Sequence, residues 1–139
     1  MTDCPMCSKW DDDADLQIAE FEHCYVLLNR DQFFKGYCFV FSKKHVTELF
    51  HFDTATRQVV IEEVNRVAAA LAEVFQPTKM NYELLGNMVP HMHWHLIPRF
   101  ADDPLWPRPI WVEPHEEVHL TTTAYDERIA LIKEILSGH

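Results

Sequence analysis

The chain has 139 residues, 47% hydrophobic and 12% aromatic, which sets a single domain over residues 1–139 with a real core and excludes a disordered composition. Its formal net charge of -10 excludes a nucleic-acid polymer as partner, since neutralising a phosphate backbone needs a basic surface; a small nucleotide, held by a few local donors, stays open. There is no run of 18 or more apolar residues to span a membrane, and Met1-Thr2-Asp3-Cys4 lacks the basic and apolar regions of a signal peptide, so a cytoplasmic protein is expected.

Cys4-Pro5-Met6-Cys7 comes first. Such a pair is half of a zinc site, a redox pair or a chance pair of free thiols. The redox reading wants the pair after a strand and opening a helix, and here it sits at the extreme N-terminus. A zinc half-site needs two more ligands, histidines being the common choice. Disulfides among the four cysteines are not expected in a reducing compartment. The rest of the N-terminal segment, residues 1–22, is acidic and reads as a solvated loop or short helix.

His23 to Asn29 is rich in β-formers and predicts a strand. Arg30-Asp31-Gln32 is turn-like, and Gly36 to Ser42 predicts a second strand, antiparallel to the first. Asn29 is a polar terminus that can cap a turn. Lys43-Lys44 reads as a solvated turn. His45 precedes apolar Val46, Leu49, Phe50 and Phe52, which places it near the core and suits a ligand better than a free surface residue.

Asp53 to Gln76 predicts the main helix. Val60, Val64, Val67, Leu71 and Val74 fall at steps of three and four and make one stripe. Asp53 or Thr54 caps its start, and Pro77 lies just past its end. Ala68, Ala69, Ala70 and Ala72 leave room for close approach of a second helix. Lys79 to Leu85 predicts a third main strand, with Gly86-Asn87 as the turn after it.

Pro90-His91-Met92-His93-Trp94-His95-Leu96-Ile97-Pro98-Arg99 is the most informative stretch. Alternation with period two predicts a strand with His91, His93 and His95 on one face, roughly 6–7 Å apart in sequence order, and Met92, Trp94 and Leu96 in the core. Buried imidazoles need a partner for every ring nitrogen. Two readings compete. The three bind one metal, or they form a catalytic row with one nucleophile and one proton shuttle. Arg99, next along, has the two parallel donors that suit a phosphate, and equally suits a surface ion pair.

The tail, residues 101–139, is first irregular, with four prolines and with Trp106 and Trp111 between Ala101 and His119. Those tryptophans cover the sheet, cross a dimer or stack on a base. Ala124 to Leu136 then predicts a short helix. The element order gives an α+β fold, an antiparallel sheet of about five strands with one long helix packed on it.

The His-x-His-x-His motif with apolar residues between resembles the histidine triad superfamily of nucleotide hydrolases and transferases. The likeness runs from about Cys4 to Arg99 and takes in Leu27-Leu28-Asn29, Ser42-Lys43-Lys44-His45 and Gly86-Asn87. It implies that His93 attacks the α-phosphorus of a nucleotide, forming a nucleotidyl-histidine that water hydrolyses. It implies His95 as proton donor to the leaving oxygen and His91 as the residue that holds the row. It also implies Asn29 at the ribose and Asn87 near the phosphates, and a homodimer formed through the long helix. By likeness to the zinc-containing branches, Cys4, Cys7, His45 and His91 form a structural zinc site, with no catalytic metal. The chain departs from the pattern at Gly36-Tyr37, where many members have Gly-His and the histidine supports the triad. The substrate expected is a nucleoside phosphoramidate or a dinucleoside polyphosphate. The alternatives are a non-catalytic nucleotide-binding or scaffold protein of the same fold, and a mononuclear metalloenzyme using all three histidines.

Overall fold

The computed structural model describes residues 4–138. Helix α1 spans Pro5–Asp12, and strands β1, β2 and β3 span Gln17–Glu20, Cys24–Leu28 and Cys38–Ser42. The long helix α2 spans Thr54–Phe75. Strands β4 (Lys79–Glu83) and β5 (His93–Arg99) and helix α3 (Thr122–Ser137) follow. The strands form one antiparallel sheet in the order β1-β2-β3-β5-β4, so the fold is α+β.

The expected long helix is present, and its start is the one the sequence signals. The Asp53 carboxylate accepts the Thr56 backbone N–H at 2.8 Å. At the other end Gln76 turns left-handed, with φ 52°, just before Pro77. The stripe Val60, Val64, Val67 and Leu71 is buried against the sheet, where Val26, Val40, Trp94 and Leu96 meet it. Helix α3 packs beside α2 and against β1, burying Tyr125, Ile129, Ile132 and Leu136.

Two elements differ from the sequence reading. The acidic N-terminal segment, expected as a solvated loop or short helix, holds the short helix α1 but also the edge strand β1, with Leu16 and Ile18 buried. The triad strand begins at His93, not Pro90. Pro90 has no N–H to give, and the His91 N–H turns back to the Val89 carbonyl at 2.8 Å.

The register places the site. On β3 and its lead-in, Tyr37, Phe39 and Phe41 alternate with core residues. Phe41 pairs with His93 and Phe39 with His95. One sheet face therefore carries aromatic rings and imidazoles together, and the other carries the α2 core. Gly36 opens the lead-in with φ 87°. A side chain there would sit 2.7 Å from the Phe75 ring at the end of α2, so only glycine lets the chain pass.

Candidate active site and metal centre

Each histidine of the row has its own hydrogen-bond partner, and the partner decides which nitrogen holds the proton. His91 is 1% exposed. Its Nε2 lies 2.7 Å from the Ser42 carbonyl, which can only accept, so Nε2 carries the proton and Nδ1 a lone pair. His93 does the reverse. Its Nδ1 donates to the His91 carbonyl at 2.6 Å and leaves Nε2 with the lone pair. His95 turns Nδ1 toward the Tyr37 hydroxyl at 2.6 Å. His93 and His95 stand edge to face with ring centroids 4.9 Å apart.

Both rings are mostly hidden, His93 and His95 each 7% exposed and Tyr37 6%. Burial, with His93 close by, pushes the His95 pKa down to about 4. His95 is therefore neutral near pH 7. Burial also raises the Tyr37 phenol pKa, helped by the Glu83 and Asp31 carboxylates, so Tyr37 stays protonated.

The lone pair of His91 Nδ1 faces a separate group of donors. Cys4 Sγ and Cys7 Sγ each lie 3.5 Å from it, and His45 Nδ1 lies 3.2 Å from it. Cys7 Sγ and His45 Nδ1 are 3.3 Å apart, and the four ligand atoms all fall within 4.8 Å of one another. Tetrahedral zinc with bonds of about 2.0–2.3 Å needs ligand atoms roughly 3.3–3.8 Å apart, and the spacings among His91, Cys7, His45 and from His91 to Cys4 are close to that. The sequence folds this way because α1 starts at Pro5, which turns Cys4 and Cys7 to one side of its first turn. The Ser42 carbonyl then orients the ring of His91 as an outer-shell partner does. The three histidines of the row do not converge. His91 groups with Cys4, Cys7 and His45, while His93 and His95 take other partners. A three-histidine metal site is not formed.

A cleft of about 610 Å³ opens beside His95. Asn29, Asp31, Tyr37, Phe39 and His95 line one side, and the tail from Ile110 to Glu117 lines the other. Trp111 stands edge-on to the His95 ring at 5.3 Å, and its indole N–H donates to Glu83. His115 pairs with Asp31 at 2.8 Å, and Asp31 also accepts the Val118 N–H. The tail is thereby pinned across the mouth of the site.

The expected substrate contacts divide. Asn29 is in the cleft wall, its amide held by the Asp31 carbonyl at 2.9 Å. Asn87 is exposed on the loop between β4 and β5. Arg99 lies outside the cleft lining. It is 1% exposed, donates to Asp103 at 2.6 Å and to Asn81 at 3.0 Å, and lies over the Phe34 and Trp106 rings. Arg99 is thus in an ion pair, but a buried one and not the surface pair expected.

Several contributors were not visible in the sequence. Asp31 and His115 are distant in the chain and show no local pattern. The same holds for Gln32, which is buried and donates to the Tyr37 carbonyl at 3.1 Å. Its own carbonyl accepts from Arg128 of α3 at 2.8 Å. Only the burial of a polar side chain in a turn marks it, and burial is not a sequence property.

Residues 12–102 match the family model described as the HIT domain. The chain is 29% identical over 90 residues to Protein hit from Bacillus subtilis, a match covering 61% of this chain and 62% of that protein, so less than two thirds of the relative is spanned. Among solved structures, a histidine triad protein from Bradyrhizobium japonicum superposes with a TM-score of 0.81 at 25% identity, covering 91% of this chain and 94% of its own. A zinc-bound histidine triad family protein from Mycobacterium smegmatis gives a TM-score of 0.70 at 23% identity, covering 98% and 94%. A diadenosine triphosphate hydrolase from Plasmodium falciparum gives 0.67 at 16% identity, covering 91% and 79%. With the histidine row, its neighbours and the sheet order all in place, the chain belongs to the HIT domain family.

Proposed function

We propose that the chain uses the nucleotide hydrolase and transferase fold of its family to cleave a nucleotide at its α-phosphate, through a covalent nucleotidyl-histidine on His93. The observation that carries this reading is the hydrogen bond from His93 Nδ1 to the His91 carbonyl. It frees Nε2 as a neutral nucleophile that needs no base and no metal to activate it. Attack forms the Nε2–P bond as the bond to the leaving group breaks. Water then attacks the same phosphorus and gives up a proton to solvent, and the electron pair returns to Nε2. His95, one side-chain step along, faces the leaving atom with its Nε2–H. Asn29 in the cleft wall suits a ribose hydroxyl. Asn87 and nearby backbone N–H groups suit the phosphate oxygens.

The Cys4, Cys7, His45 and His91 group is proposed to hold a structural zinc. When bound, the ion cross-links α1 to the lead-in of β5 as a closed four-ligand site. This chain's part is to offer two thiols and two properly oriented imidazoles, and through the backbone of His91 to steady the group that sets the His93 proton. The homodimer, which the resemblance puts through the long helix, is proposed instead on the free edge of β4, where Tyr82, Leu84, Leu85 and Met88 are exposed. No helix among the described residues is long and apolar enough to cross a membrane, which accords with a cytoplasmic site of action.

The test is intact-protein mass spectrometry after brief mixing with diadenosine tetraphosphate or adenosine 5′-phosphoramidate. An added adenylyl mass, absent in His93→Ala, is expected, with turnover in that variant lowered by at least ~10³-fold. Binding of nucleotide with no adduct and no turnover would favour the scaffold reading instead.

A further inference from the structure

An imidazole delivers a proton readily only when it starts as the cation, with both ring nitrogens protonated. At His95 the Nδ1 side is already engaged by the Tyr37 hydroxyl. That phenol keeps its proton in its buried setting. Among the described residues His95 Nδ1 is its hydrogen-bond partner, so donating to Nδ1 is what satisfies it. Nδ1 then accepts, and Nε2 carries the only ring proton.

Tyr37 has little freedom to do otherwise. Its N–H donates to the Phe34 carbonyl, and its own carbonyl accepts from the Asn29 N–H and the Gln32 amide. Phe39 lies 5.3 Å away on one side of its ring. Titratable neighbours do not supply the missing proton. His93 flanks His95 along β5, and Glu83 is its register partner on β4, engaged by Trp111. Asp31 is held by His115. Glu113 pairs with Arg108, and Glu117 with His119.

We propose that Tyr37 makes His95 a hydrogen-bond donor rather than a proton source. It thereby fits the site to a phosphoanhydride, whose leaving group departs as a stable anion, in preference to a nucleotide that must release an amine. The inference rests on the nucleotidyl-transfer reading above and selects its substrate class.

The balance of the step shows why. With an anhydride, the His93 Nε2 lone pair forms the N–P bond, and the P–O bond to the leaving phosphate breaks. The electron pair stays on that oxygen and leaves as phosphate anion. His95 Nε2–H donates a hydrogen bond to the departing oxygen and keeps its proton. With an amine, the departing nitrogen has to gain a proton as the P–N bond breaks. Neutral His95 can give one only by becoming imidazolate, or by drawing the Tyr37 proton onto Nδ1 and leaving a phenolate that burial and the nearby carboxylates disfavour.

The test compares diadenosine tetraphosphate with adenosine 5′-phosphoramidate on full-length wild type, Tyr37→Phe and Tyr37→His. Wild type is expected to favour the anhydride by about tenfold or more in kcat/KM. Tyr37→His restores a partner that titrates near neutral pH. The ratio is then expected to move toward the phosphoramidate by about tenfold, most strongly below pH 7. Tyr37→Phe keeps the ring and its packing and removes only the hydroxyl. Its kcat on the anhydride is expected to fall about 10- to 100-fold with little change in KM, a split that a packing role alone would not give.

Long-range proton–nitrogen NMR of histidine-labelled protein reads the tautomer with no substrate present. Wild-type His95 is expected to carry its proton on Nε2, and Tyr37→Phe to show a mixture. A proton on Nδ1 in wild type, a wild-type preference for the phosphoramidate, or an unchanged ratio in folded Tyr37→His overturns the inference. If neither substrate is turned over or labels His93, the nucleotidyl reading itself fails and the leaving-group preference falls with it. The spectra then still decide whether Tyr37 sets the His95 proton.

Discussion

His91, His93 and His95 are chemically identical side chains at alternate positions of one stretch, and they differ only in what stands next to each nitrogen. A carbonyl at Nε2 makes His91 a ligand through Nδ1, a carbonyl at Nδ1 leaves His93 nucleophilic at Nε2, and a phenol at Nδ1 leaves His95 a donor. The depressed His95 pKa has a consequence for stability. The folded ring resists protonation down to about pH 4, while an unfolded histidine takes a proton near its reference pKa of about 6.5. Between those values the unfolded chain binds more protons, so this contribution is complete above about pH 6.5 and is lost as pH falls toward 4. It amounts to something on the order of 2 kcal/mol, less than the whole shift implies because the cleft admits water. Denaturant melts of wild type and His95→Asn at pH 7.5 and 5 check this. The wild type should lose more stability between the two than the variant, and equal losses would remove the argument.

At the scale of elements, the parts of the molecule with strong local signals were legible. The α2 stripe, its Asp53 cap and the alternation in His93–Leu96 depend on residues close in sequence, so the chain displays them directly. Strand β1 escaped notice because it is only Gln17–Glu20 and sits in an acidic stretch. Its hydrophobic partners come from β2 and α3, which no local window contains. The Cys4-x-x-Cys7 pair showed half of the metal-ligand group, and the fold brings His45 and His91 to it across 38 to 87 residues of chain. This arrangement makes a prediction about removal. Helix α1 is eight residues long, too short to persist alone, so its place depends on that group. Chelation, or Cys7→Ser, is expected to lower Tm by roughly 5–15 °C, followed by circular dichroism melts, with added zinc restoring the untreated protein. An unchanged Tm would mean that α1 holds by packing alone, through Trp10 stacked on Tyr25 at 4.4 Å.

For the whole molecule, the exposed edge strand β4 is the surface that remains to be explained. A lone edge with Tyr82, Leu84 and Leu85 exposed beside it invites pairing. Sedimentation is expected to show a dimer of twice 16.4 kDa, and Tyr82→Lys to return monomer. A wild type that sediments as monomer at micromolar concentration would refute the surface.

The contact from Arg128 in α3 to Gln32, and from Gln32 to Tyr37 beside His95, ties α3 to the leaving-group side of the cleft. During synthesis the histidine row and the cysteines emerge from the ribosome while α3 is still enclosed. A nascent chain therefore holds the nucleophile before it holds the support for its donor, and full chemical competence arrives only once α3 has emerged and packed. A chain ending at residue 121 should reproduce that half-made state. If such a chain folds, it is expected to form the His93 adduct at least about tenfold more slowly than the full chain, and equal rates would show that α3 supports the fold but not the chemistry.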